Sequence, residues 1–197
     1  EQMRYLNGSN TGYGSRLHYF SDWIFENLGI LERRIADKNE STSDLASKAG
    51  LIAIKNAGLQ KEDIDLIIVA TSSPDRISPS TAIIMAKRLG IKKPAFDINA
   101  VCTGFVYGLQ MASSLISTNQ YTNILLIGAD SYSRITDWKR RDCVFFGDGA
   151  GAIVLDALDL HDDQNIATRP GTLSFELSAD PSGAFALWIP GGSGTDA

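Results

Sequence analysis

Phe96-Asp97-Ile98-Asn99-Ala100-Val101-Cys102-Thr103-Gly104-Phe105 is the stretch from which the rest of the chain can be read. An apolar, strand-like run from Ala95 to Ile98 leads to a thiol. An almost wholly apolar helical run follows, from about Thr103 to Ser117. A cysteine at that junction stands at a helix N-terminus, where unpaired N–H groups carry partial positive charge and favour a thiolate. The thiolate is the nucleophilic form of sulfur, so the segment points to covalent catalysis. An inert buried cysteine is the common alternative.

The flanking sequence alternates strands with helices. Ser21 to Leu31 reads as a short helix that Gly29 ends. Ser41-Thr42-Ser43-Asp44 is a cap cluster for a helix reaching about Ala57, with Gly58 as its stop. Leu66 to Ala70 suits a buried parallel strand. Ser78-Pro79 is expected to open the next helix, with proline at its first position, and Gly90 to end it. Asn123 to Ala129 is a third strand and Ala152 to Asp156 a fourth. Gly171 to Asp180 alternates enough to be a fifth, antiparallel to its neighbour. This pattern predicts an α/β layered domain with a mostly parallel five-stranded sheet.

The helix after Cys102 has no clearly polar face, which predicts burial in a large core. Gly104, Gly108 and Ala112 make a small-residue stripe at i, i+4 and i+8. That stripe is expected to let another helix approach closely, supplied by a second domain or subunit.

Composition excludes several classes. The 197 residues carry 18 basic and 23 acidic side chains, a net charge of -5 that argues against a nucleic-acid binder. No uncharged apolar run of about 18 residues predicts a membrane span. The N-terminal Glu1-Gln2-Met3-Arg4 lacks a signal-peptide pattern. Two widely spaced cysteines, Cys102 and Cys143, argue against a disulfide framework or zinc site, so a reducing, cytoplasmic setting is expected and no metal. Cys143 lies in the apolar run Asp142-Cys143-Val144-Phe145-Phe146 and reads as core packing. Gly147-Asp148-Gly149-Ala150-Gly151 is G-x-G-x-G leading into a strand, the wrong context for a dinucleotide fingerprint. It reads as a tight turn needing glycine backbone angles.

Together these residues resemble a known family. Phe96 to Leu109 (FDINAVCTGFVYGL) is similar to the nucleophile motif of β-ketoacyl-ACP synthase III, the decarboxylative condensing enzyme that starts fatty-acid chains. Asp22-Trp23-Ile24, Gly29-Ile30 and Arg33-Arg34 resemble an early family block. Ile68-Val69-Ala70-Thr71-Ser72 and Phe146 to Ala152 resemble two more, in register from about Ser21 to Asp156 and on to Pro190-Gly191-Gly192.

The resemblance implies a thiolase-like fold of two similar α/β halves and a homodimer. On that basis residues 1–197 are expected to be the N-terminal, cysteine-bearing half. The His and Asn that complete the catalytic trio belong to a C-terminal half not present in this chain, since His18 and His161 sit in no matching context. The resemblance further implies that Cys102 takes an acyl group from acyl-CoA and that malonyl-ACP condenses with it, losing CO2. These are substrates, and no cofactor is called for. By the same resemblance Trp23 stacks on the CoA adenine and Arg140 lies on the base's other side.

Three departures stand out. A family arginine four residues after the tryptophan is Asn27 here, which removes a phosphate contact. The residue before the proline of Ser78-Pro79 is often a large aromatic that closes the partner subunit's acyl pocket. Ser78 predicts a roomier pocket and primers longer than acetyl. Arg16 to Phe20 is short where the family has a longer segment. Two other readings stay open: a secondary-metabolite ketosynthase or acyltransferase homologue, and a non-catalytic half-domain that partners a condensing enzyme. A half-domain with a large exposed apolar face is also expected to aggregate or dimerise.

Overall fold

The computed structural model describes residues 22–157, 171–186 and 188–189. The expected features at Tyr5 to Ser15, Arg16 to Phe20, His18, His161 and Pro190 to Gly192 lie outside them. The chain divides into two units, Glu1–Gln164 and Asn165–Ala197.

In the first unit, strands β1 (Leu66–Ala70), β2 (Ala95–Ile98), β3 (Ile124–Ser131) and β4 (Asp148–Leu155) form one sheet in the order β2-β1-β3-β4. β1 pairs in parallel with β2 (Ile68 opposite Phe96) and with β3 (Ile68 opposite Leu126). β4 runs antiparallel to β3, with Leu126 opposite Ile153. β1 is buried at every position, as a central strand covered on both faces must be.

Strand alternation divides the core in two. Ile67, Val69, Leu125 and Ile127 face helices α2 (Thr42–Asn56) and α3 (Thr81–Leu89), packing on Ala46, Ala53, Ile54, Met85 and Ala86. Leu66, Ile68, Ile124 and Leu126 face the other way, onto Ala112 and Ile116 of α4 (Gly104–Ser117). A further helix, α1, covers residues 22–28 and ends at Gly29, whose φ is +68°.

Caps set the helix limits. Asp44 accepts from the Ser41 N–H (2.9 Å) and hydroxyl (2.7 Å) and pairs with Arg88. Burial pushes the Asp44 carboxyl up, but those two donors and the Arg88 guanidinium more than reverse it and hold it below the usual aspartate value. Asp44→Ala is expected to cost about 1 kcal/mol, read as a lower urea midpoint at unchanged slope. A depressed folded pKa means this stability is complete above the unfolded value and lost as pH falls through the folded one. The difference between wild type and variant therefore closes in acid.

Several expectations need correction. Helix α3 begins at Thr81 behind the cap Ser80, not at Pro79. The Asp97 carboxylate reaches over from β2 and accepts from the Thr81 (2.6 Å) and Ala82 (2.7 Å) N–H groups, which places the first turn there. The glycines 149 and 151 lie inside β4 rather than in a turn, and neither has positive φ. Of the three glycines in this run, Gly147 alone is packed where a side chain would not fit: a Cβ there would stand 3.1 Å from the Arg34 carbonyl oxygen and 3.2 Å from Arg33 Cβ. Among the described residues the sheet has four strands, not five. Residues 172–180 belong to no strand.

The stripe on α4 also serves a different neighbour. Gly104, Gly108, Ala112 and Ile116 are its buried residues, and they face the chain's own sheet. A Cβ on Gly108 would meet Leu126 Cδ1 at 2.6 Å, and one on Gly104 would meet Ala70 Cβ at 3.4 Å. The helix is thus not buried all round: Val106 and Met111 are 45% and 38% exposed.

Candidate active site

Strand β1 leads through α3 to β2 on one side, and β2 leads through α4 to β3 on the other. The chain therefore reverses its winding around β1. In open α/β sheets, sites gather at the carboxyl ends of the strands at such a reversal. Cys102 lies there, in the 3₁₀ turn Val101–Thr103 between β2 and α4. Its thiol is free and exposed.

The turn is sharp. Val101 has φ +48°, a conformation rare for a β-branched residue and one that concentrates at functional sites. Its N–H donates to Asn99 Oδ1 (3.2 Å), and the Ala100 carbonyl accepts from both the N–H (3.2 Å) and hydroxyl (2.8 Å) of Thr103. These bonds hold the bend that carries Cys102.

Beside it, the loop after β1 is pinned by one carboxylate. Asp130 Oδ1 accepts from the N–H groups of Ser72 (2.9 Å) and Ser73 (3.0 Å) and from the hydroxyls of Thr71 and Ser73. The Ser72 hydroxyl also meets Tyr132 Oη at 2.8 Å, and the Tyr132 ring stacks on Phe146 with centroids 5.3 Å apart. Further along the same loop, Ser78 is exposed, beside Ile77 at 96% exposure.

A separate cleft of about 960 Å³ is lined by α1 residues (Trp23, Ile24, Leu28) and by the run Trp138 to Phe145. Trp23 and Arg140, far apart in sequence, converge on it. Arg140 holds Asp142 with a two-pronged contact, Nε to Oδ1 at 3.2 Å and Nη2 to Oδ2 at 3.1 Å. Asn27 is not part of the lining; its Nδ2 donates back to the Trp23 carbonyl at 2.9 Å. Cys102 and Ser78 do not line the cleft either. Cys143 does, which corrects its reading as core packing. Residues Arg141–Phe145 form a 3₁₀ turn, so this apolar run wraps the cleft instead of entering the sheet.

Sequence reasoning missed Asn99, Asp97 and Asp130, whose partners lie across turns or strands. It also missed Trp138, although an aromatic beside Lys139-Arg140-Arg141 is a recognisable signal. Among the described residues no cluster of His, Cys, Asp or Glu could hold a metal ion, and no helix is long and apolar enough to cross a membrane.

Comparison with known proteins gives one consistent result. Residues 96–181 match the family of 3-oxoacyl-[acyl-carrier-protein] synthase III. The chain is 46% identical over 173 residues to β-ketoacyl-[acyl-carrier-protein] synthase III of Fusobacterium nucleatum subsp. nucleatum, covering 87% of this chain and 50% of that protein. It superposes with a TM-score of 0.69 on the crystal structure of 3-oxoacyl-[acyl-carrier-protein] synthase III from Aquifex aeolicus, at 43% identity over 71% of this chain and 46% of the other. The priming β-ketosynthase of the R1128 polyketide biosynthetic pathway superposes with a TM-score of 0.68, at 30% identity over 71% of this chain and 42% of the other. The fold is thus the thiolase-like α/β fold of these enzymes. The chain spans about half the length of the curated relatives it matches.

Proposed function

Because the chain belongs to the β-ketoacyl-ACP synthase III family, we propose that it is the cysteine-bearing part of an acyltransferase that condenses an acyl-CoA with malonyl-ACP. The observation that carries this is Cys102: free, exposed, on a strained turn at the carboxyl end of β2 and just before α4. The Cys102 thiolate attacks the thioester carbonyl, and the CoA thiolate leaves. The Cys102 N–H lies where a helical turn's first donors have no partner within the turn, so it can stabilise the oxyanion. Malonyl-ACP then loses CO2, and its carbanion attacks the acyl carbonyl. The bond to sulfur breaks, the thiolate returns and β-ketoacyl-ACP departs. The His and Asn that support decarboxylation come from a C-terminal half.

In this reading the cleft between Trp23 and Arg140 receives the CoA adenine, ACP is the carrier partner, and the enzyme works as a cytoplasmic homodimer. The full-length protein is expected to form β-ketoacyl-ACP from acyl-CoA and malonyl-ACP with one CO2 released per product. Acyl transfer without CO2 release would overturn the condensation.

A second reading, a priming ketosynthase of secondary metabolism, is favoured by Asn27 and Ser78, where this chain departs from the family. Both readings share the prediction from Ser78. Octanoyl-CoA is expected to acylate Cys102 at least as fast as acetyl-CoA, and Ser78→Phe to restore an acetyl preference of about tenfold, since a filled pocket discriminates by 1–3 kcal/mol. A strict acetyl preference in the wild type would sink the roomy pocket.

A further inference from the structure

One rim of the Trp23 cleft carries three successive cations, Lys139, Arg140 and Arg141, in a chain whose net charge is -5. They are not equivalent. Arg140 is neutralised by Asp142. Lys139 and Arg141 are exposed, and among the described residues neither side chain has a hydrogen-bond or ion-pair partner. The other nearby carboxylate, Asp137, is occupied by the turn itself: its Oδ1 accepts the Lys139 N–H at 3.0 Å, and its carbonyl accepts the Arg140 N–H at 3.1 Å. That turn leaves two uncompensated positive charges beside two half-exposed indoles, Trp23 and Trp138. On the facing wall, α1 offers no cation. Asn27 is neutral and is turned back to the Trp23 carbonyl.

We infer that Lys139 and Arg141 bind the 3′-phosphate on the ribose of the acyl-CoA donor, doing from this rim what a cation at position 27 does not do here, and so set the donor's phosphate selectivity. The inference rests on the CoA reading of the cleft given above. The chemistry fits the pair. A guanidinium forks onto phosphate oxygens with two parallel bonds, and an ammonium adds a point charge. Both indoles give a purine a flat surface to stack on. Arg140, already holding Asp142, contributes its face rather than its charge.

The test is titration of tryptophan fluorescence in the full-length protein with CoA and with dephospho-CoA, which lacks only the 3′-phosphate. The wild type is expected to bind CoA about tenfold more tightly than dephospho-CoA, as charge-assisted bonds of this kind imply. Added salt should narrow the gap. Lys139→Gln with Arg141→Gln should bring the ratio close to one by weakening CoA alone, and Lys139→Arg with Arg141→Lys should restore it. A preference for CoA that survives the double glutamine variant overturns the inference while leaving the CoA reading intact. Equal weakening of both ligands also overturns it. Failure of CoA itself to bind the wild type overturns the CoA reading and the inference with it. All these side chains are exposed, so the variants are expected to fold.

Discussion

Cys102→Ala in the full-length protein is expected to abolish the acyl adduct that wild type gains from acyl-CoA, a loss on the order of 10³-fold or more in acylation rate. Intact mass spectrometry reads it directly, because each acyl group adds its own mass and hydroxylamine removes it from a thioester. The variant should keep its fold, since Cys102 is exposed and touches no core cluster. The other thiol supplies the control. Cys143 lines the Trp23 cleft, not the strained turn, so Cys143→Ala should leave the adduct in place. An adduct that persists in Cys102→Ala and disappears in Cys143→Ala would reverse the assignment. Within this experiment Val101 is informative too. Glycine accepts φ +48° without strain, so Val101→Gly should be tolerated by the fold.

The second large effect concerns stability. Leu126 is fully buried, lies between Ile68 of β1 and Ile153 of β4, and occupies the space left by the missing side chain of Gly108. Leu126→Ala is expected to cost about 3 kcal/mol in the full-length protein, from lost transfer energy and the cavity left behind. Gly108→Ala alone should cost about 1 kcal/mol or more, because its Cβ would stand 2.6 Å from Leu126 Cδ1 and must displace it. The double variant should be less destabilised than the sum, since the new methyl enters the space that Leu126 vacates. Denaturant unfolding of the four proteins closes the cycle. Strict additivity would show that α4 does not rest on the sheet through this pair.

Much of the architecture was legible because it depends on local physics. The all-apolar run Leu66–Ala70, the cap at Ser41 with its Asp44 partner, and the stops at Gly58 and Gly90 each follow from neighbours in sequence. The structure places the elements there, with φ of +72° and +74° at the two glycines. Where reasoning failed, the deciding partner was distant. Pro79 looked like a helix start until Asp97, on another strand, captured the Thr81 and Ala82 N–H groups. Gly104, Gly108 and Ala112 looked like a seat for a foreign helix, because a small-residue stripe does not say whether a helix or a strand will fill it.

Residue order alone makes this an α/β chain with a cysteine between a strand and an apolar helix, its blocks following one family's order. Strand and helix periodicity, capping and motif spacing are properties of neighbouring residues. Folding fixed what neighbours in the chain could not: β4 begins at Asp148, residues 172–180 belong to no strand, and Trp23 and Arg140 line one cleft while Asn27 turns away from it. It also left Lys139 and Arg141 without the carboxylate that neutralises Arg140. Backbone pairing and charge pairing are settled by which groups stand within about 3 Å of each other. In a folded chain those groups come from segments that sequence distance does not order.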